Sequence, residues 1–216
     1  MKLKNNLTFE NLLKNEQWTS QFNEAQLEEL IDGYNNGVDV QVYADPRINE
    51  YCMYPLRRAL EEYGNPQDSI SVRKKIISYI NDGYALYQFI ELVRGLLNSI
   101  DVSCYEDPSL SSGIMQLIRH NLMRGIDVSE YAHQGFALDQ LSQISQGLYL
   151  GLDVSHYANK EFTPRRMKVI RHGLEEGVDV SVYADPKLSA DEMQRRLDEL
   201  RRQSRITERT NDEIKE

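Results

Sequence analysis

Apolar and polar positions along this chain follow two superimposed rhythms, a short one of three and four residues and a long one of 26. In the short rhythm Met167, Ile170 and Leu174 match Met115, Ile118 and Leu122, then Leu141, Ile144 and Leu148, then Leu27, Leu30 and Tyr34. Apolar residues spaced in this way line one face of a helix, so each run predicts a helix of about three to four turns. Asn23 with Gln26 three later, Ser189 with Glu192 three later, and Thr163 followed by Pro164 are helix starts. Gly37, Gly125, Gly151 and Gly177 mark helix ends, where a left-handed backbone is needed.

The long rhythm is a phrase: GVDVQVYADP at 37–46, SIDVSCYEDP at 99–108, GIDVSEYAHQ at 125–134, GLDVSHYANK at 151–160 and GVDVSVYADP at 177–186. Asp101, Asp127, Asp153 and Asp179 are each 26 residues apart, and 26 beyond Asp39 stands Asn65. Each phrase predicts a second, much shorter helix capped by its aspartate, whose valine and tyrosine, three apart, face neighbouring long helices. Ile48, Leu110, Phe136, Phe162 and Leu188 precede the next caps as hydrophobic staples. Register fails only at 65–101, where helix-like runs at 71–82 and 86–98 read as two units, the second lacking most of its connector.

Burial of a large side chain contributes about 1.5–3 kcal/mol, too little for one such unit to offset its own ordering entropy. Neighbours must share a core. The expected fold is therefore all-α, an α-solenoid of about seven 26-residue units, each one long helix plus one short helical turn, with helical caps. Residues 1–21, including the Leu7–Glu16 run, would form the N-terminal capping segment and 22–188 the array, irregular at 65–101. Residues 189–216 would form a C-terminal capping helix (Met193, Leu197, Leu200) and a charged tail whose end frays. One column holds Gly33, Ala59, Gly95, Gly147 and Gly173, with Asn121 and Tyr79 as exceptions. Glycine inside a helix costs about 0.5–1 kcal/mol, so another backbone or the tyrosine ring should approach there.

Composition narrows the function classes. Among 216 residues no apolar run reaches membrane-spanning length, and the opening MKLKNN lacks a signal-peptide core, so a cytoplasmic chain without a membrane partner is expected. Cys52 and Cys104 make neither a disulfide framework nor a zinc spacing. A net charge of −9 and a pI near 5.1 oppose binding to phosphate backbones. Of His120, His133, His156 and His172, the first and last share one helical column whose members are at least a repeat apart and so do not converge on a metal; all four read as surface histidines, and neither metal nor cofactor is expected. Ser103, Ser129, Ser155 and Ser181 recur with the phrase, and periodic copies serve packing or capping better than a single active site. Without a nucleophile motif or a phosphate-cradling loop, the chain reads as not an enzyme.

Recognition by a surface is what remains. Arg57, Arg119 and Arg171 share a helical column filled elsewhere by Ile31, Ser78, Val93 and Ser145. The neighbouring column holds Asp32, Arg58, Tyr79, Arg94, His120, Gln146 and His172. Both columns are expected at the rim or on an exposed face contacting another protein, with Arg57, Arg94, Arg119, His120, Gln146, Arg171 and His172 as candidate partner-binding residues. The competing reading is a solvated face whose arginine stems shield the core. An acidic anti-defence inhibitor filling the nucleic-acid-binding groove of a nuclease is an alternative, with Glu24, Glu28, Glu29, Asp32, Glu175, Glu176 and Asp179 as its charges. A single-stranded RNA-binding repeat is another, against which the acidity counts. The C-terminal helix allows a monomer or a weak homo-oligomer.

At the repeated phrase the chain resembles uncharacterised tandem-repeat proteins of Gram-positive gut and related bacteria, often encoded in conjugative elements or phages. Their units read approximately QMxxIRxGLxxGLDVSxYADPxF, matched best by MKVIRHGLEEGVDVSVYADP at 167–186. The resemblance spans 22–188 and implies a mobile-element setting, where anti-defence or conjugation-related binding would fit. It carries over no catalytic residue.

Overall fold

The computed structural model describes residues 8–213, with side chains described from 8 to 206. Leu7, read above as part of an N-terminal helical run, lies outside them. The described residues are helical, joined by turns, with no strand among them. In order they form α1 (Phe9–Leu13), α2 (Glu16–Thr19), α3 (Glu24–Asn35), α4 (Glu50–Tyr63), α5 (Ser69–Asn81), α6 (Leu86–Leu97), α7 (Ser112–Leu122), α8 (Ser129–His133), α9 (Leu138–Tyr149), α10 (Pro164–Glu175) and α11 (Ala190–Glu213). Short 3₁₀ turns stand at Val40–Val42, Val102–Cys104, Val154–His156 and Val180–Val182. The chain divides within α7 into two compact units, Met1–Arg119 and His120–Glu216. In the first, α3 packs on α4 and α4 on α6; in the second, α9 packs on α10 and α10 on α11.

Helix ends follow the signals in the chain. Asn23 and Gln26 close a capping box, Asn49 and Thr163 cap α4 and α10, and Ser189 exchanges bonds with Glu192. Asp39, Asp101, Asp153 and Asp179 each accept the N–H two residues on and so open the 3₁₀ turns. Gly37, Gly125, Gly151 and Gly177 have positive φ; Ser99 takes the same place after α6 and is left-handed despite its side chain. α11 continues as helix to Glu213, past the point where fraying is expected.

The tyrosine is what approaches the glycine column. Tyr43, Tyr105, Tyr157 and Tyr183 are wholly buried, and a Cβ at Gly33, Gly95, Gly147 or Gly173 would overlap their respective hydroxyls. Three of those hydroxyls donate to backbone carbonyls, of Glu29 (3.0 Å), Glu91 (3.5 Å) and Gln143 (3.1 Å). Where α7 has the buried Asn121 instead of glycine, that slot is filled, and the phrase after it folds as α8 with Tyr131 only half-buried. A second difference acts with it. Asp45, Asp107, Asn159 and Asp185 accept an N–H two residues on, whereas the equivalent His133 has no side-chain oxygen to do so.

The stretch 65–101 holds two helices, α5 and α6, over the two helix-like runs, but α5 stands where other units have a short connector. Tyr79 and Tyr84 meet edge-on at 5.6 Å and Tyr84 N–H bonds the Tyr79 carbonyl. Tyr131 and Phe136 repeat this at 6.0 Å, with Phe136 N–H on the Tyr131 carbonyl. Left-handed Gly83 and Gly135 follow α5 and α8 alike. α5 is thus the α8 type of connector lengthened at its N-terminus, and Tyr79 is the counterpart of Tyr131, outside the glycine column. Helix α5 packs on the turn Val40–Val42 and on α6, while Asn65 accepts from Asp39 N–H and donates to the Gly37 carbonyl.

Two side-chain clasps bind neighbouring elements. Gln26, Gln88 and Gln140 each accept the N–H that opens their own helix, and each donates to two carbonyls of the following connector. These are Pro46 and Ile48, Pro108 and Leu110, and Lys160 and Phe162, at 2.7–3.2 Å. Likewise Arg57 Nε donates to Glu29, Arg119 Nε to Glu91 and Arg171 Nε to Gln143. Helices α3, α6 and α9 therefore carry the glutamine and the acceptor, and α4, α7 and α10 carry the arginine.

Candidate functional site

The arginine column is corrected with the clasp. Arg57, Arg119 and Arg171 are 8%, 2% and 7% exposed, far from the open face expected of a recognition column. Each sits between two helices because an inward guanidinium is tolerable only with its charge paired. Arg57 reaches Glu29 and Glu61 at 2.7 and 2.8 Å, and these bonds hold it above the usual arginine range despite burial. Arg119 meets Glu91 at 2.8 Å, and Arg171 meets Gln143 and Glu175.

The other column is more open. His120 and Gln146 are exposed and belong to the second compact unit, as does the half-buried His172. Burial, with Arg171 adding to it, holds the His172 imidazole below its ordinary pKa. Arg94 is half-buried in the first unit and donates to Glu91 at 3.2 Å.

Arg94 does line a groove of about 880 Å³ between α4 and α6, in the first unit. Tyr51, Tyr54, Pro55, Arg58, Glu61 and Glu62 come from α4, and Leu86, Tyr87, Ile90 and Arg94 from α6. Tyr51 and Tyr87 are each 71% exposed and Tyr54 53%. Helix phase explains this: Met53, Leu56 and Leu60 turn into the core, as do Phe89 and Leu92, leaving the tyrosines on the opposite side. Tyr51 and Tyr87 hold the second position of their helices, and Arg58 and Arg94 the ninth. Pro55, inside α4, has no N–H for the Tyr51 carbonyl one turn earlier. The Arg57 guanidinium lies 5.4 Å from the Tyr54 ring centre.

Charge in the groove is ordered. Burial raises the Glu61 carboxyl, but Asn36, Arg57 and Arg58 outweigh it and keep Glu61 below the ordinary carboxylate range. Glu61 is thereby engaged, while Glu62 stands exposed near the end of α4. Among the described residues no three His, Cys, Asp or Glu side chains converge as a metal site would require, and no helix is long and apolar enough to cross a membrane.

Reading by repeat columns missed Tyr51, Tyr54 and Tyr87, because they stand outside the columns that recur. Their signal was available in YCMYPLRR, two tyrosines off the apolar stripe of a helix interrupted by proline. No protein-family model matches the chain, and no curated protein or solved structure matches it.

Proposed function

We propose that this chain is a non-enzymatic protein-binding helical-repeat module, an α-solenoid in which successive long helices are joined by the glutamine and arginine clasps. Its recognition site on this reading is the α4–α6 groove. The observation that carries the proposal is the gathering of exposed Tyr51, Tyr54 and Tyr87 with Arg58 and Arg94 around one depression. Tyrosine and arginine dominate the energetics of protein interfaces, and Tyr51 and Tyr87 leave most of their surface in water, with Tyr54 half exposed beside the Arg57 guanidinium. The resemblance of the repeated phrase supports a mobile-element setting. Tyrosines can also stack nucleobases, but Glu61 and Glu62 in the same groove and the net charge of −9 favour a protein.

Affinity capture from nuclease-treated extract of the native host, followed by mass spectrometry, tests this. The intact chain should retain a protein in near-stoichiometric amount, and the Tyr51→Ala/Tyr87→Ala variant should lose it. Equal recovery by both would overturn the assignment of the site.

A further inference from the structure

We propose that the α4–α6 groove takes an extended, proline-bearing segment of a partner protein, with a carboxylate about three residues beyond the proline bridging Arg58 and Arg94. This deepens the binding-module reading and rests on it. The argument is one of charge order and length. From the second positions to the ninth positions the walls change from aromatic, with Tyr51 and Tyr87, to charged, with Arg58 and Arg94 beside Glu61 and Glu62. Seven residues of helix rise about 10 Å, and a polyproline II chain covers that in about three residues at ~3.1 Å each. A proline ring lies flat on tyrosine faces and holds the backbone extended at little entropic cost.

The charges select against other occupants. One oxygen of Glu91 already serves the buried Arg119, so Arg94 holds the other at a longer 3.2 Å and keeps room for a second acceptor. Arg58 shares Glu61 with Arg57 and Asn36, and its side chain is 60% exposed. A basic segment would meet these two guanidiniums at mid-groove. A nucleic acid strand would bring a phosphate with every nucleotide, including beside the exposed Glu62, whereas a peptide can carry one carboxylate at the position of the arginines.

The test uses the full chain and three fluorescent dodecapeptides, repeats of Pro-Pro-Ala-Glu, Pro-Pro-Ala-Gln and Pro-Pro-Ala-Lys, in an anisotropy titration at low salt. The glutamate peptide should bind saturably and at least tenfold more tightly than the other two, and 0.5 M salt should shrink that margin. Arg58→Gln/Arg94→Gln should abolish the preference but leave residual binding. Tyr51→Ala/Tyr87→Ala should lose all three peptides with an unchanged circular dichroism spectrum. Equal affinity for the glutamine or lysine peptide, or no saturable binding of any, overturns the proposal. If the peptides fail while host-protein capture still depends on Tyr51 and Tyr87, only the acidic-proline chemistry falls. If that capture is also indifferent, or a labelled oligouridine binds in place of the peptides, the binding-module reading falls with it.

Discussion

A methyl group at position 147 would compete for space with the Tyr157 hydroxyl, and the ring carbon bearing that hydroxyl would be only 3.1 Å from it. Overpacking of this kind costs about 1–3 kcal/mol, more than the gain of about 0.5–1 kcal/mol in helix propensity. Gly147→Ala is therefore expected to destabilise the chain by roughly 1–2 kcal/mol in urea denaturation, against the usual direction for glycine in a helix. Adding Tyr157→Phe should recover part of the loss, since it removes the overlapping oxygen. Additive effects of the two changes would contradict the contact. This feature could be read in the chain, because glycine recurs where a helix disfavours it. The role of Asn121 could not: its helix-terminal phrase, GIDVSEYAHQ, looks like the others until His133 is recognised as lacking the aspartate oxygen.

Between elements, the clasps do what the apolar stripe alone cannot, since they fix register. Gln140 accepts from Ala137 N–H and donates to Lys160 and Phe162 carbonyls, so all three of its bonds are to backbone. Gln140→Leu strands those groups and should cost about 2–4 kcal/mol. Gln140→Glu should cost more, because it sets a carboxylate against two carbonyls; a milder effect in chemical denaturation would argue that the connector is held by packing alone. The helices and their caps were legible from spacing. The division into glutamine-bearing and arginine-bearing helices was hidden, because Gln88 and Gln140 are 52 positions apart while Gln26 and Gln88 are 62 apart. Lengthening of α5 to 13 residues disguised the period and hid its likeness to α8. Arginines taken for a surface column are inward for the same reason: their acceptors, Glu29, Glu91 and Gln143, stand 28 positions earlier, beyond the reach of one helix's periodicity.

For the molecule as a whole, buried phenols set an upper limit of pH. Burial raises Tyr43, Tyr79, Tyr105 and Tyr157 well above the ordinary value of 10.0, and Tyr183 is pushed up to about 12. The unfolded chain releases these protons near pH 10 and the folded chain keeps them. Stability is thus intact below about pH 10 and falls above it, by up to about 1.4 kcal/mol per pH unit for each such tyrosine. Cooperative loss of helical circular dichroism between about pH 10 and 11.5, with phenolate absorbance rising in the same step, is the expected outcome; ionisation of all the tyrosines with the helices intact would contradict it. The groove was the least legible part of the molecule, since it depends on which residues of α4 and α6 are left facing outward once their cores are packed. The most direct measurement of the central claim is photo-crosslinking in the native host, with benzoylphenylalanine at Tyr87 and, as a control, at the exposed Val182. A discrete protein adduct at position 87 and none at 182 is the predicted result, and equal adducts at both positions, or no protein adduct at 87, would contradict it.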